Sequence, residues 1–260
     1  MEIKDKDIYN FYENIDEDMR LKRAKVNRIE FLTTTRYLDK IINPNSKILD
    51  ACAGTGIYAF YLAKNGHMVT AGDLIEKNVN LMKDIQEDNK LLEKIYRGSI
   101  LDLSEFDDSA FDVVLNLGSF YHLIDDNERK QSIVESLRVL KPNGIYVMSY
   151  INRYANIIKY RDMFVEDFRL LYDYLEKGFH SKNRIFYASN PKEVESTLIE
   201  QSVDIIYNIA TDGMKFIIRD IVNQLSDLDF DKWMDMHYKT CEDRSILGTS
   251  EHGLLVGRKL

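Results

Sequence analysis

One short stretch, residues 47–57, restricts the fold of this chain more than any other part of the sequence. It reads Lys-Ile-Leu-Asp-Ala-Cys-Ala-Gly-Thr-Gly-Ile, in which the Ile-Leu pair predicts a short buried strand and the two glycines predict a sharp turn. Residues 57–63 then predict a helix, and residues 68–71 predict a second strand that ends before Gly72 and Asp73. This order is typical of the first unit of a doubly wound α/β sheet, whose glycine turn binds nucleotide-like ligands.

The residues around this turn distinguish between two classes of ligand. Gly54, Gly56 and Ala59 satisfy the glycine fingerprint of dinucleotide-binding folds. Asp73 follows at a distance suited to binding a ribose. Asp50 argues against a dinucleotide, because its carboxylate would repel a pyrophosphate docked on the helix N-terminus. It favours a ligand whose near end carries ammonium and sulfonium charges and whose ribose reaches Asp73. That ligand is S-adenosylmethionine.

Four segments form a consistent set in chain order. They are Asp-Ala-Cys-Ala-Gly-Thr-Gly at 50–56, Asp73, Phe-Asp-Val-Val-Leu-Asn-Leu-Gly at 111–118, and Arg-Val-Leu-Lys-Pro-Asn-Gly-Ile at 138–145. Together they resemble the motifs of the class I S-adenosylmethionine-dependent methyltransferases. The resemblance implies that the first segment binds the cofactor and that Asp73 accepts hydrogen bonds from both ribose hydroxyls.

The resemblance, close over residues 47–150 and looser over 203–260, also implies the fold. It predicts a doubly wound α/β, Rossmann-like sheet of seven mostly parallel strands, the last of which runs antiparallel between the fifth and sixth. We expect a single methyltransferase domain, 1–260, with helical cap insertions. Its parts are an N-terminal helical lid at 1–42, a cofactor-binding core at 43–150, a helical cap insertion at 151–189, and the C-terminal part of the sheet with a second helical insertion at 190–260.

Composition narrows the class of protein further. The 260 residues suffice for one large domain with its own core, and a formal net charge of -8 argues against a nucleic-acid surface. No run of residues has the apolar length of a membrane span, the charged N-terminus is unlike a signal peptide, and two cysteines provide neither a disulfide framework nor metal-ligand spacing. We therefore expect a cytoplasmic enzyme, monomeric or homodimeric, that needs no membrane, nucleic acid or metal.

The predicted cofactor-binding set includes one departure from the family. Where the family commonly has an Asp that accepts from the adenine amino group, this chain has Ser99, whose hydroxyl can still accept one hydrogen bond. In the family, N-terminal helices fold over the cofactor, so Tyr12 and Arg20 are candidates for its carboxylate or for the lid. The alternative is that Tyr12 packs in its helix and Arg20 is solvated. The complete set is Asp50, Ala53, Gly54, Gly56, Asp73, Leu74, Ser99, Ile100, Leu117, Tyr12 and Arg20.

Candidate catalytic residues follow the fourth strand, where Tyr121 and His122 come shortly after Gly118. Methyl transfer is an in-line displacement, for which orientation alone is worth roughly 7–11 kcal/mol. A base is needed only for an acceptor that arrives protonated, and a histidine with a pKa near neutrality can serve as one. In the alternative interpretation, His122 starts a helix or bonds to a backbone carbonyl, and Tyr121 packs or shapes the acceptor pocket.

The substrate pocket is predicted where the fifth strand ends. Tyr150, Asn152 and Arg153 lie there, and side chains at the carboxyl ends of parallel strands face the cleft. Arg153 would matter most for a substrate with a carboxylate or phosphate. Residues 154–175 predict one long amphipathic helix, which is either a wall over the active site or a dimer surface.

The remaining segments predict a return to the sheet. Asn190, followed by a proline and by Glu193, predicts a capped helix start. Residues 203–210 predict the sixth strand, a second helical insertion follows at 214–241, and the last strand begins at His252, for which we expect a structural role.

The sequence thus predicts S-adenosylmethionine-dependent methyl transfer to a small molecule, yielding S-adenosylhomocysteine. Two alternatives remain open. One is an NAD(P)-dependent oxidoreductase, which Asp50 and the antiparallel last strand oppose. The other is a protein that binds S-adenosylmethionine without catalysis.

Overall fold

The computed structural model describes Leu21 and residues 23–87, 90–179 and 185–260. Strands and helices alternate through the first half of this range. In chain order they are α1 (Lys25–Ile41), β1 (Lys47–Asp50), α2 (Ile57–Lys64), β2 (Met68–Asp73), α3 (Glu76–Gln86), β3 (Lys94–Arg97), β4 (Phe111–Asn116), a 3-10 turn (Ser119–Tyr121), α4 (Asp126–Val139) and β5 (Leu140–Asn152).

The second half inserts helices between the remaining strands. Its elements are α5 (Arg153–Lys159), α6 (Arg161–Glu166), α7 (Phe168–Lys177), β6 (Ala188–Ser189), α8 (Pro191–Glu200), β7 (Val203–Ala210), α9 (Lys215–Gln224), α10 (Asp227–Thr240), α11 (Arg244–Leu247) and β8 (His252–Lys259).

The strands form one mixed sheet in the order β3-β2-β1-β4-β5-β8-β7, with the short β6 paired to β5. The pairs from β3 to β5 are parallel, whereas β8 is antiparallel to both of its neighbours. The predicted class of sheet and the predicted position of its antiparallel last strand are therefore confirmed. Because parallel strands share a carboxyl edge, the ends of β1, β2, β4, β5 and β7 all open on the same side.

Helices cover both faces of the sheet. Neighbouring residues of β1 show the division, since Ile48 belongs to one apolar cluster and Leu49 to the other, as expected for side chains that alternate along a strand. The first cluster includes residues of α1, α2 and α3, and the second includes residues of α4 and α8. The sheet is thus buried on both sides, and its accessible edge is the one where loops leave the strands.

Two smaller apolar clusters lie among the added helices. In one, Tyr121 packs with Phe164, Leu170 and Tyr174 of α6 and α7. In the other, α1 packs against α9 and α10 through Val26, Ile29, Val222, Phe230 and Met234. The added helices therefore have their own packing contacts, and one of their clusters includes Tyr121.

The prediction of one helix over 154–175 was wrong. The segment forms α5, α6 and α7, with breaks at Tyr160 and Asp167. Asp167 has an extended backbone, and its side chain accepts from the Arg169 N–H, so it caps α7 and cannot continue the preceding helix. Apolar periodicity does not register such a cap in the middle of an amphipathic segment.

Candidate active site

Asp50 is a buried carboxylate at the carboxyl end of β1. Its side chain is only 1% exposed, and neither oxygen meets a hydrogen-bond donor among the described residues. Burial, and then the negative charge of nearby Asp73, raise the pKa of Asp50 to about 7, against a smaller lowering by the nearby Cys52 backbone N–H. A buried carboxylate without donors is costly unless a ligand compensates it, so Asp50 marks a position suited to a cation.

Asp73, at the end of β2, has a different environment. Its Oδ2 accepts from the Gly54 N–H at 2.8 Å, and its Oδ1 accepts from the Ile75 N–H at 2.8 Å and from Asn78 Nδ2 at 3.1 Å. These bonds tie the glycine turn to β2 and orient the carboxylate.

The glycine turn leaves space on one side only. Gly54 and Gly56 have φ values of 56° and 86°, in the left-handed region that favours glycine. A Cβ on Gly56 would lie 2.9 Å from both Met82 Cγ and Phe60 Cε2, whereas a Cβ on Gly54 would have no heavy atom within 4 Å. Gly56 is therefore required by core packing, and Gly54 faces open space. Ala53 fixes the turn through a bond from its N–H to the Gly72 carbonyl oxygen at 2.8 Å.

The remaining predicted cofactor contacts among the described residues, two of them to adenine, lie in or beside local turns. Ser99 Oγ accepts from the Leu101 N–H at 3.2 Å, and Ile100 is buried in the apolar core. Leu74 is exposed, with its carbonyl oxygen accepting from Arg97 Nε at 3.3 Å, and Leu117 packs partly buried against the core. Their roles toward a ligand stay predictions. Tyr12 and Arg20 lie outside the described residues.

Tyr96 is a residue near the site that the sequence analysis missed. It pairs with Gly72 across β2 and β3, and a Cβ on Gly72 would lie 2.1 Å from its ring. Its hydroxyl is buried without a partner among the described residues, and burial followed by the charges of Cys52, Glu105 and Asp50 raises its pKa. The only sequence signal was the glycine before Asp73, which allows the ring to cover the strand.

His122 Nδ1 is hydrogen-bonded to a backbone carbonyl oxygen. Nδ1 lies 3.1 Å from the Ile185 carbonyl oxygen, which can only accept, so Nδ1 carries a proton. The ring packs 5.0 Å from Phe186, and burial lowers the pKa of His122 to about 4. The arrangement is the backbone-bonded alternative. A base with this pKa is poorly matched to neutral pH. No observation tests the catalytic role of His122, which stays a prediction.

Tyr121 lies between the glycine turn and the start of β8. A Cβ on Gly118 would lie 3.7 Å from Tyr121 Oη and 3.8 Å from the Cys52 carbonyl oxygen. On its other side, the Tyr121 ring lies 6.3 Å from the His252 ring, centroid to centroid. Tyr121 thus packs near the glycine turn, and its role toward an acceptor stays a prediction.

The three predicted pocket residues use their polar groups to hold the scaffold together. Tyr150 Oη donates to Asn208 Oδ1 at 2.9 Å, and Asn152 Nδ2 donates to the Leu247 carbonyl oxygen at 2.6 Å. Arg153 donates to the carbonyl oxygens of Ala188 and Leu175, both at 3.0 Å, and to Glu193 Oε2 at 2.9 Å. Their contacts are structural, and no contact in the structure supports the pocket role, which stays a prediction.

A cluster of charged side chains at the same edge of the sheet, buried or partly buried except for Lys159, was also missed. His252 Nδ1 lies 2.9 Å from Asp212 Oδ2 and 3.4 Å from Glu30 Oε2. Lys215 Nζ lies 3.5 Å from Asp212 Oδ2 and 2.9 Å from Glu251 Oε2, and Lys159 Nζ lies 2.5 Å from Glu251 Oε1. No sequence pattern links these residues, because α1, α5 and the β7–β8 connection are distant in the chain. We call this set, Glu30, Lys159, Asp212, Lys215, Glu251 and His252, the edge cluster.

The site fits a ligand with a cationic centre and a ribose. Asp50 offers an uncompensated carboxylate, Gly54 borders open space, and Asp73 is an oriented acceptor beside them. Residues 49–148, which contain all three, match a family described as "Methyltransferase domain". Over 213 residues the chain is 25% identical to a ubiquinone biosynthesis O-methyltransferase of Rickettsia typhi, covering 80% of this chain and 82% of that protein. Residues 49–148 thus form a class I S-adenosylmethionine-dependent methyltransferase domain.

Other similar proteins agree with this class. A glycine/sarcosine N-methyltransferase of Aphanothece halophytica is 24% identical over 160 residues, covering 60% of this methyltransferase and 53% of that protein. A solved structure of an S-adenosylmethionine-dependent methyltransferase from Methanosarcina mazei has a TM-score of 0.60 at 20% identity and covers 86% of this chain and 97% of its own. The latter likeness shows the fold.

No helix in the described part of this methyltransferase is both long and apolar enough to cross a membrane.

Proposed function

We propose that this methyltransferase acts on a small-molecule acceptor, with Asp50, the Gly54 turn and Asp73 holding the cofactor. When bound, S-adenosylmethionine supplies a methyl group that is activated by a sulfonium. The role of the protein is to align the acceptor with that group and to exclude water. The proposal that the acceptor is small is supported by two relatives, one named for ubiquinone biosynthesis and the other for glycine and sarcosine.

The observation that carries the cofactor assignment is the buried carboxylate of Asp50, whose oxygens have no hydrogen bond of good geometry to a described residue. A pyrophosphate beside this group would add negative charge to a position where burial and Asp73 already raise the pKa. A sulfonium or ammonium would compensate the charge instead. The remaining predicted cofactor contacts, from Ala53 to Leu117, belong to the same proposal.

We further propose that the added helices roof the cleft, in the parts predicted from the sequence: a lid at 1–42, caps at 151–189 and within 190–260, and the core at 43–150. The packing of Tyr121 with α6 and α7, and of α1 with α9 and α10, supports this arrangement. The formal net charge of -8 supports a substrate other than nucleic acid. A cytoplasmic monomer or homodimer completes the proposal.

Calorimetry with three ligands tests the assignment. S-adenosylmethionine and S-adenosylhomocysteine should bind the purified chain, and NADH should not. Asp50→Asn should weaken S-adenosylmethionine more than S-adenosylhomocysteine, because only the former carries a sulfonium. NADH binding at the same site would favour an oxidoreductase and contradict the proposal.

A second measurement separates an enzyme from a non-catalytic binder. S-adenosylhomocysteine release should be measured with hydroxyl-bearing and amine-bearing acceptors, here 3,4-dihydroxybenzoate and sarcosine. Turnover above the rate without acceptor is expected for at least one of them. Tight cofactor binding with no acceptor-dependent release from a wider panel of small molecules would favour the binder.

A further inference from the structure

The edge cluster contains His252, whose Nδ1 is hydrogen-bonded and whose Nε2 has no bond to a described residue. The Nδ1 of His252 lies 2.9 Å from Asp212 Oδ2, and the carboxylate can only accept, so Nδ1 carries the proton. In the neutral ring the lone pair is then on Nε2, to which no described residue bonds. This tautomer is the one required of a histidine that takes a proton through Nε2.

Asp212 is itself held in place. Its Oδ1 accepts from Ser250 Oγ at 2.6 Å and from the His252 N–H at 3.2 Å, while its Oδ2 lies opposite the imidazole. Ser250 Oγ also accepts from the backbone N–H groups of Asp212 and Gly213, at 3.1 and 2.9 Å. The carboxylate therefore has a fixed orientation and fixes that of the ring.

The atoms of Glu30, Asp212 and His252 lie close enough to invite comparison with a metal centre, since one ligand atom from each falls within 4.8 Å of the others. Two features argue against this interpretation. Lys215 Nζ lies 3.5 Å from Asp212 Oδ2, so an ammonium already supplies the positive charge. Moreover, the proton on Nδ1 directs that nitrogen to the carboxylates as a donor and not as a ligand.

His252 also has a suitable position. It pairs with Ile151 near the end of β5, so it stands at the carboxyl edge of the sheet, where β4 and β5 end. The ring of Tyr121 lies between it and the glycine turn, with its hydroxyl near Gly118 and the Cys52 carbonyl. His252 thus stands at the same edge of the sheet as Tyr121 and the glycine turn.

We propose that His252 is the catalytic base of this methyltransferase and that Asp212 is its positioning residue. The acceptor would then be a nucleophile that arrives protonated, a hydroxyl or an ammonium group. The inference rests on the proposed methyl transfer and adds to it the acceptor class and the residue that takes the proton.

The proton balance is simple. The acceptor atom forms a bond to the methyl carbon while the carbon–sulfur bond breaks, and the electrons of that bond remain on sulfur. The proton lost by the acceptor passes to Nε2 of His252 and then to solvent, which returns the imidazole to its neutral form. No oxidant, reductant or metal is needed.

The charges around His252 set the pH range of this role. Glu30 on α1, Asp212 after β7 and Glu251 before β8 raise its pKa against the effect of burial, while Lys215 and Lys159 compensate Asp212 and Glu251. Tyr121, whose ring lies 6.3 Å from that of His252, is a further titratable neighbour. The pKa of His252 lies above its usual 6.5. The neutral imidazole therefore becomes more abundant as the pH rises through this raised pKa, and the rate of methyl transfer should increase with it.

Nuclear magnetic resonance of histidine-labelled protein tests this pair without any acceptor. The chain has five histidines, and single His→Gln variants assign their ring signals. The His252 signal should show the Nδ1–H tautomer when neutral and a titration midpoint above 6.5, and Asp212→Asn should lower that midpoint. A neutral ring protonated on Nε2, or a His252 signal that responds to micromolar ZnCl2 or MgCl2, would overturn the proposal.

The pH profile of methyl transfer provides the second test, with whichever of 3,4-dihydroxybenzoate and sarcosine is accepted. In the wild type, kcat/KM should rise with pH through the His252 midpoint, and Asp212→Asn should move that limb to lower pH. His252→Gln should abolish the limb and lower kcat by at least about 100-fold. Its affinity for S-adenosylhomocysteine should stay within about twofold of wild type, because His252 is assigned to the acceptor.

Two other histidines serve as comparisons. His67 precedes β2 at the opposite edge of the sheet, so His67→Gln should keep the wild-type profile. His122→Gln is the rival, and loss of the limb there but not in His252→Gln would overturn the proposal. If His252→Gln binds the cofactor and keeps the wild-type pH profile, His252 is not the base, and the proposed function is unaffected. If the wild type does not bind S-adenosylmethionine, the proposed function itself is contradicted.

Discussion

Two carboxylates at neighbouring strand ends have opposite environments. Asp50 meets no donor among the described residues, whereas Asp73 accepts three N–H groups. Hydrogen bonds stabilise an ionised carboxylate, and burial without them destabilises it. The difference separates a group that needs a cation from a group that is already oriented to accept hydroxyls.

Binding of S-adenosylmethionine should therefore depend on pH through Asp50. Its pKa is raised to about 7, and a sulfonium is attracted only to the ionised form. The affinity should fall by up to about tenfold for each pH unit below that value and level off above it. Calorimetry from about pH 5.5 to 8 measures the dependence.

Two controls isolate this effect. S-adenosylhomocysteine, which lacks the sulfonium, should show a shallower dependence, and Asp50→Asn should show almost none. An equally steep dependence in Asp50→Asn would assign the titration to another group.

Asp73→Ala should weaken S-adenosylmethionine binding by at least about tenfold, because it removes a charged acceptor from two ribose hydroxyls. Asp112→Ala is a matched control. Asp112 also accepts a backbone N–H, from Lys47 at 2.8 Å, and a side-chain donor, from Lys141 at 2.7 Å, but it lies at the start of β4 on the opposite edge. Equal loss of affinity in both variants would indicate general destabilisation and contradict the ribose role.

At the scale of the element, the glycine turn combines a structural and a ligand-facing position. Gly56 is enclosed by Met82 and Phe60, and Gly54 faces open space. Both have positive φ, so a side chain at either position strains the backbone. At Gly56 the added side chain would also clash with the core.

Gly54→Ala and Gly56→Ala should therefore differ. Gly54→Ala should cost about 1 kcal/mol of stability, from backbone strain. Gly56→Ala should cost about 1–3 kcal/mol more, from the added clash. Urea unfolding measures both, and calorimetry should show that Gly54→Ala weakens cofactor binding although the chain remains folded. Equal stability losses would mean that Gly56 can be accommodated by repacking.

The elements that could be predicted from the sequence are those with local causes. Strand β1, its glycine turn and α2 follow from apolar runs and glycines, and the start of α8 follows from the reciprocal bonds of Asn190 and Glu193, which are present. The Asp167 break was missed because a cap inside an amphipathic run leaves its apolar period intact. The short β6 was missed because its two residues depend on pairing with β5.

The candidate site, like the fold, could be predicted from the sequence only where the signal is local. Asp50 lies beside the glycine turn in sequence and Asp73 ends the next strand, so both positions follow from strand ends. The edge cluster is different, because Glu30, Asp212 and His252 meet only after α1 packs beside the last two strands. The expectation of a structural role for His252 rested on its position at the entry of the last strand, and it stays a prediction.

At the scale of the whole molecule, the edge cluster connects parts of the chain that the sheet alone does not. Lys159 lies on α5, Glu30 on α1, and Lys215 at the start of α9. Burial of Glu30 and Lys215 is tolerated because both are paired, and removal of one partner leaves another buried charge uncompensated. The cluster therefore makes the helical additions and the last strands depend on one another.

Lys215→Met tests this dependence through stability. Near neutral pH it should lower the free energy of unfolding by about 3–5 kcal/mol, because Asp212 and Glu251 lose their shared cation. The exposed Lys232→Met, which removes only a surface pair with Asp229, should cost less than about 1 kcal/mol.

The stability lost in Lys215→Met should depend on pH. Lys215 helps to hold the pKa of Asp212 well below its usual range and that of Glu251 at about 2. Carboxyls with lowered pKa values stabilise the fold above their unfolded pKa and cease to do so as pH falls through the folded value. The stability difference between wild type and Lys215→Met should thus be full above about pH 4.5 and shrink toward pH 2. Urea unfolding at several pH values measures it, and a constant difference would mean that Lys215 stabilises by packing of its stem rather than by its charge.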